Sequence, residues 1–181
     1  PFVDPDGYQR FVARSEDGGA SFGRPSRIQG GEGAGSRGWE AIAADRLGQV
    51  VAVWLDHRER AEAADHSAPM VHHEGHDHTA SAAAKADGLD QAQLSKLYFA
   101  RVGSSAQGRA IAAGVCYCCK TALAVGPDGS LYAAWRHVYP GNIRDIAFTV
   151  SRDDGRAFAA PLRVSDDHWV LDGCPENGPS L

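Results

Sequence analysis

The sequence is poor in several residue types, and each shortage excludes a class of protein. Its 18 lysines and arginines are outnumbered by 23 acidic residues, so nucleic acid is not an expected partner. No apolar run approaches the length of a membrane span, and no signal peptide is present. Methionine occurs once and cysteine only four times. The rest, 43% hydrophobic and 23% charged, is typical of a globular protein.

Short strand patterns separated by glycine turns are abundant. Residues 115–168 contain four of them in succession, each rich in β-branched, aromatic and small residues. An earlier pair of patterns, in residues 39–55, repeats the first two with the same spacing, so that Trp54 matches Trp135. Four short antiparallel strands in about 50 residues is the size of one β-propeller blade.

An octapeptide of the form Ser-x-Asp-x-Gly-x-x-Phe occurs twice, at residues 15–22 and 151–158. It resembles the Asp-box (BNR repeat) of sialidase-like β-propellers. We expect each copy to form a hairpin turn in which the aspartate accepts backbone N–H bonds and the glycine takes a positive φ. The phenylalanines, Phe22 and Phe158, should fold back as apolar plugs. In that family the motif stabilises the fold, so it says little about chemistry.

The resemblance implies an all-β fold, a propeller of about six four-stranded antiparallel blades. We assign residues 1–28 to the outer half of one blade, 36–114 to a second, 115–168 to a complete blade and 174–181 to the start of the next. These two and a half blades would leave unpaired edges. We therefore expect a fragment or another chain that completes the propeller. The resemblance also implies a periplasmic or extracellular location.

A long insertion, residues 56–93, interrupts the second blade, and it is rich in Ala, Asp, Glu and His. Such a connection is too long for a simple hairpin. Imidazole and thioether groups are soft or borderline donors that suit copper and zinc. The candidate metal ligands of this segment are Met70, His72, His73, His76 and His78. The alternative is a solvated loop whose histidines bind metal only adventitiously.

The cysteines form a sharper pattern. Cys116, Cys118 and Cys119 precede one inner strand, and Cys174 stands at the equivalent place before the next. Inner strands of a propeller begin near its central channel, so we expect these thiols to lie together. Neither standard zinc pattern, paired Cys-x₂-Cys units or a Cys₂His₂ set, is present. One structural disulfide, a thiolate site for copper or zinc, and a catalytic thiol remain as alternatives.

Two further histidines, His57 and His137, follow the tryptophans at the ends of the second strands, on the side of the cysteines. They either complete a Cys/His set or bond to loop carbonyls. The leading interpretation is a secreted sialidase-like propeller that binds a transition metal, copper before zinc. The alternatives are a sialidase-like glycoside hydrolase acting on carbohydrate, and a non-catalytic scaffold with one disulfide.

Sialidase activity, as the resemblance implies it, needs three arginines for the substrate carboxylate, a Tyr/Glu nucleophile pair and an aspartic acid/base. No motif here can be matched to those groups residue by residue, so the catalytic residues are unknown. The residues of suitable type are Arg37, Arg58, Arg136, Arg144, Tyr139, Asp56 and Asp145. Their mutual distances decide whether they can act together.

Overall fold

The computed structural model describes residues 10–65, 89–171, 173 and 175–181. This part of the chain contains ten strands and one named helix: β1 (Phe11–Val12), β2 (Ser26–Arg27), β3 (Arg37–Ala44), β4 (Val50–Asp56), α1 (Arg58–Asp65), β5 (Lys96–Arg101), β6 (Arg109–Ala113), β7 (Ala122–Val125), β8 (Leu131–Arg136), β9 (Ile146–Ser151) and β10 (Leu162–Arg163). None of its helices is long and apolar enough to cross a membrane.

The strands form three antiparallel sheets. β1 pairs with β2, β3 to β6 form a four-stranded sheet in chain order, and β7 to β10 form another. The all-β prediction is therefore confirmed. The two large sheets are joined near the start of β7, where Thr121 Oγ1 donates a hydrogen bond to the carbonyl oxygen of Trp39 at 2.6 Å.

The two large sheets share one pairing register, which explains the repeat in the sequence. Ala41 of β3 lies opposite Val53 of β4, and Ala122 of β7 lies opposite Ala134 of β8. Both pairs have the same separation along the chain. The tryptophans that follow the paired residues therefore occupy equivalent positions, and both are buried. The predicted repeat in these two sheets is confirmed.

The main apolar core joins side chains of both large sheets. Strand β4 is buried at six of its seven positions, because a second apolar cluster covers its other face. Burying a large aliphatic or aromatic side chain contributes about 1.5–3 kcal/mol. The fully enclosed members of the main core are Val51, Val53, Leu55, Leu97, Phe99, Val115, Leu131, Ala133, Trp135 and Ala147.

The two octapeptides form the same turn. In the second, Ser151 Oγ accepts the N–H of Gly155 at 2.8 Å, and Asp153 Oδ1 accepts the N–H of Ala157 at 2.9 Å. The first copy repeats both bonds, at 2.7 and 2.9 Å. Its glycine and that of the second copy have φ of 95° and 79°. The predicted turn geometry is confirmed in both copies.

The phenylalanine plugs differ between the two turns. Phe158 packs edge-on against Phe99, with ring centroids 5.1 Å apart, as predicted. Phe22 is 66% exposed, so the prediction of an apolar plug is wrong there. The reason is its location beside the two-stranded β1–β2 sheet, away from the core between the large sheets.

Candidate metal centre

The three neighbouring cysteines lie in residues 115–121, which we call the cysteine loop. It connects the two large sheets and is held by the β8 end: the N–H of Cys116 bonds to the carbonyl of Arg136, and the N–H of Val138 to the carbonyl of Gly114, both at 2.8 Å. Gly114 has φ +71°, and a Cβ there would lie 2.6 Å from Cε1 of His137. A side chain at position 114 would therefore collide with the His137 ring, and the start of the loop requires glycine.

The structure brings the three sulfur atoms of this loop together. They lie within 4.8 Å of one another, with Cys116 Sγ 3.0 Å from Cys119 Sγ and 3.8 Å from Cys118 Sγ. Two sulfurs bound tetrahedrally to one zinc ion at about 2.3 Å lie about 3.8 Å apart, so the sulfurs of Cys116 and Cys119 need to separate by less than about 1 Å to share an ion. The cluster predicted for these three cysteines is confirmed as a group that can hold a metal ion.

The three cysteines differ in covalent state. Cys116 and Cys119 are free thiols, with 0% and 1% of their surface exposed. Cys118 is disulfide-bonded. A disulfide sulfur is not a thiolate ligand, so two thiols are available to a metal in this state.

The two free thiols are electrostatically unequal. A hydrogen bond from Cys119 lowers the pKa of Cys116 to about 6, helped by the backbone N–H of Cys118 and by Arg144, against the opposing effect of burial. The pKa of Cys119 is raised, since its thiol proton is held by Cys116 and the group is buried. The pair is thus a thiolate and the thiol that bonds to it.

Arg144 supplies the positive charge in contact with Cys116. It lies in the connection between β8 and β9, is 3% exposed, and its Nη1 is 3.2 Å from Cys116 Sγ. Its Nε donates to Oδ1 of Asn142 at 3.2 Å. A charge-assisted bond of this kind stabilises the thiolate form of a cysteine.

Both described flanks of the long insertion pack against the cysteine loop. Leu89 and Ala92, at its C-terminal end, form an apolar cluster with Val138 and the three cysteines. At its N-terminal end the guanidinium of Arg60 in α1 lies 4.6 Å from the ring centroid of Tyr117. These contacts exclude water from the thiols and place the ends of the insertion beside them.

His57 lies beside the loop but does not join the sulfur group. It is 7% exposed, burial lowers its pKa to about 4, and a hydrogen bond to the Tyr117 backbone opposes this shift. Among the described residues its Nδ1 has no hydrogen-bond partner. Neither His57 nor His137 belongs to the set of described ligand atoms within 4.8 Å of one another. Both histidines lie at the strand ends beside the cysteine loop, as predicted. Their role as metal ligands stays a prediction.

His137 is held by its neighbours. Trp135 Nε1 donates to its Nδ1 at 3.4 Å, and the Tyr139 ring packs against it at a tilt of 53°, with ring centroids 4.3 Å apart. Burial lowers its pKa to about 4. The ring is therefore neutral at physiological pH. The remaining predicted ligands lie outside the described residues: Cys174, Met70, His72, His73, His76 and His78.

Two of the arginines considered for a sialidase, Arg37 and Arg58, bind a carboxylate of the chain itself. Asp56 binds Arg37 Nε at 2.9 Å and Arg58 Nη2 at 2.7 Å, and it also accepts a bond from Trp54 Nε1. Asp145 pairs with Arg163 and accepts two backbone N–H bonds. These carboxylates hold the loops at the strand ends.

Two features of the site were missed in the sequence. Cys116 and Cys119 form a Cys-x-x-Cys unit, a spacing that was visible and that brings both sulfurs to one side of a turn. The contact between Arg144 and Cys116 joins residues 28 positions apart, and no local signal indicates it. No protein-family model matches the chain, and a search of curated proteins finds no match.

Proposed function

We propose that the cysteine loop binds a soft transition-metal ion, copper(I) before zinc, through the thiolates of Cys116 and Cys119. The observation that carries this proposal is the pair of free, fully buried thiols whose sulfurs are 3.0 Å apart. Thiolates favour copper(I) and zinc over harder ions. A buried dithiol enclosed by apolar side chains also limits access of water to the bound ion.

Cys118 contributes a third sulfur only after reduction of its disulfide. The disulfide also supports the proposal of a periplasmic or extracellular location, because such bonds persist in oxidising compartments. The histidines and the methionine of the insertion are proposed as second ligands on sequence grounds alone.

The proposed fold is a sialidase-like propeller. Its support is the pair of four-stranded meanders with one register and the two turns with matching hydrogen bonds. The proposal that another chain completes the propeller follows from that fold. So does the proposal of a carbohydrate partner.

The test is copper(I) titration of metal-free protein under anaerobic conditions, read by thiolate-to-copper charge-transfer absorption and by competition with a chelator. We expect one thiolate-bound copper(I) per chain in the wild type. Cys116→Ser and Cys119→Ser should each abolish this absorption, because one thiolate alone does not complete the site. Lys120→Ser, the matched control at an exposed position of the same loop, should retain it.

The absorption signal distinguishes this site from copper bound only by imidazoles elsewhere in the chain. A wild type that shows no charge-transfer band, or a Cys116→Ser variant that keeps it, contradicts the proposal. Elemental analysis of protein purified without an affinity tag gives the metal that the chain acquires during expression.

A further inference from the structure

Arg144 is the fully buried cation beside the two free thiols, whereas Arg136, the other cation that acts on Cys119, is partly exposed. Its side chain touches Asn142 Oδ1 and Cys116 Sγ, both at 3.2 Å, and only 3% of its surface is exposed. Within the described part of the chain it forms no ion pair with a carboxylate. A buried charge is costly unless an opposite charge is close to it. The sulfur of Cys116 is the group in contact that can carry one.

The adjacent carboxylate does not fill this role. Asp145 accepts bonds from Arg163 and from the backbone N–H groups of His168 and Trp169. The carboxylate of Asp145 is therefore paired with Arg163 and not with Arg144. Arg144 is also fixed in place, since its backbone N–H bonds to the carbonyl of Trp169 at 2.8 Å.

Asn142 orients the guanidinium. Its Oδ1 accepts the Nε–H of Arg144, and its Nδ2 donates to the carbonyl of Leu171 at 2.9 Å. Asn142 itself has φ +58°, in the left-handed region that asparagine tolerates better than most residues. The polar chain from Leu171 through Asn142 to Arg144 therefore ends at the sulfur of Cys116.

The charge of a metal complex in this enclosure depends on the valence of the ion. Both coordinating sulfurs are thiolates in any complex, because a metal displaces the thiol protons. Two thiolates, one guanidinium and a monovalent ion are neutral together. With a divalent ion the same buried group keeps one uncompensated positive charge, which is unfavourable in a site of low dielectric.

We infer that Arg144 is a specificity-determining residue that makes the Cys116–Cys119 site select a monovalent soft ion over a divalent one. This inference rests on the proposed function and deepens it: the ligand class is copper(I) and its analogue silver(I), against zinc(II) and cadmium(II). Arg144 acts through the thiolates and is a positioning residue, since it does not contact the metal itself.

The experiment compares chelator-competition affinities for copper(I) and zinc(II) in the folded protein and its variants. Arg144→Met removes the charge and keeps most of the apolar length. We expect it to lower the copper(I) to zinc(II) affinity ratio by about tenfold to a hundredfold, the effect of one charge-assisted bond. Arg144→Lys, which keeps the charge, should restore most of the ratio. Arg152→Met, at an exposed arginine beyond the far end of β9, is the matched control and should leave the ratio unchanged.

A folded Arg144→Met variant with an unchanged ratio overturns the inference. An equal loss of both affinities also overturns it, because that result indicates a purely structural role. If Arg144→Met does not fold, Arg144→Gln provides the same comparison with an amide that can still bond to Asn142. Absence of thiolate-bound metal in the wild type is a failure of the proposed function, and it is seen before any variant is made.

Discussion

At the scale of single residues, a few charged side chains of this protein lie in buried contacts. Asp56 has no exposed side-chain surface and binds Arg37, which is equally buried, as well as Arg58. Burial raises the pKa of Asp56, but hydrogen bonds from Arg58 and Trp54 and the charge of Arg37 outweigh it, so the pKa is lowered. The carboxylate is therefore ionised and joins the start of β3 to the end of β4.

Asp56→Asn should lower the free energy of unfolding by about 3–5 kcal/mol, because it breaks the fully buried ion pair between Arg37 and Asp56. Chemical denaturation measures this loss. Asp154→Asn is the control: Asp154 is 3.9 Å from Arg101 and 63% of its side chain is exposed, so its loss should cost no more than about 1 kcal/mol. Similar small losses in both variants would contradict the structural role of Asp56.

The covalent states of the cysteines give a second expectation at this scale. In unfolded, unreduced protein, an alkylating reagent should modify Cys116 and Cys119, because both are free thiols. The peptide that carries Cys118 should contain no label at that residue until a reductant is added. Peptide mass mapping with and without reductant makes the comparison. Labelling of Cys118 before reduction would show that the disulfide is absent.

At the scale of elements, the two octapeptide turns have the same bonds in different surroundings. A Cβ at Gly155 would lie 2.5 Å from Cε1 and Cζ of Phe99, while one at Gly19 would meet no atom within 4 Å. Both glycines have positive φ, so both disfavour alanine on backbone grounds alone. Comparing an alanine variant at each glycine therefore separates the cost of backbone strain from the cost of a forced contact with Phe99.

Gly155→Ala should lower the free energy of unfolding by about 2–4 kcal/mol, the sum of a left-handed alanine and a forced contact in the core. Gly19→Ala should cost about 1 kcal/mol. Thermal or chemical denaturation of the two variants against the wild type gives both values. Equal losses would mean that the Phe99 ring moves aside without cost.

Strands with branched and aromatic residues could be predicted from the sequence within one or two residues, as for β4 and β8. The strand β6 was not predicted, because Arg-Ala-Ile-Ala-Ala has only one branched residue and reads equally well as a loop or a helix. Helix α1 was missed for a related reason: its Arg, Glu and Ala residues favour a helix, but they have no apolar period to mark one.

At the scale of the whole molecule, buried histidines link folding to pH. Burial lowers the pKa of His137 from 6.5 to about 4 and acts in the same direction on His57. Between these values the unfolded chain binds a proton at each ring that the folded protein does not bind. The free energy of unfolding should therefore be constant above pH 6.5 with respect to these groups, and should fall as pH decreases towards 4.

His137→Asn keeps a polar group near Trp135 and removes the titrating ring. The loss of stability between pH 6.5 and 4 should become smaller by at most about 3 kcal/mol. Denaturation at a series of pH values measures the slope. An identical slope in His137→Asn and the wild type would show that the pKa of this ring is the same in the folded and the unfolded chain.

The candidate site was partly predictable at this scale. Three adjacent cysteines at the start of an inner strand indicated a cluster, and the strand ends near His57 and His137 were placed on the correct side. Arg144 was considered only as a substrate-binding arginine. Its contact with Cys116 depends on how the β8–β9 connection folds over the cysteine loop, and pairing patterns along strands carry no information on such a contact.

The two flanks of the insertion are also joined by a hydrogen bond and an ion pair between their side chains. Arg60 Nε donates to Gln91 Oε1 at 2.9 Å, and Glu59 pairs with Lys96 at 2.5 Å. These side-chain bonds hold the two flanks together independently of the sequence that connects them. For protein engineering, the flanks are therefore two neighbouring attachment points, both in contact with the cysteine loop, at which a reporter domain can be joined beside the thiols.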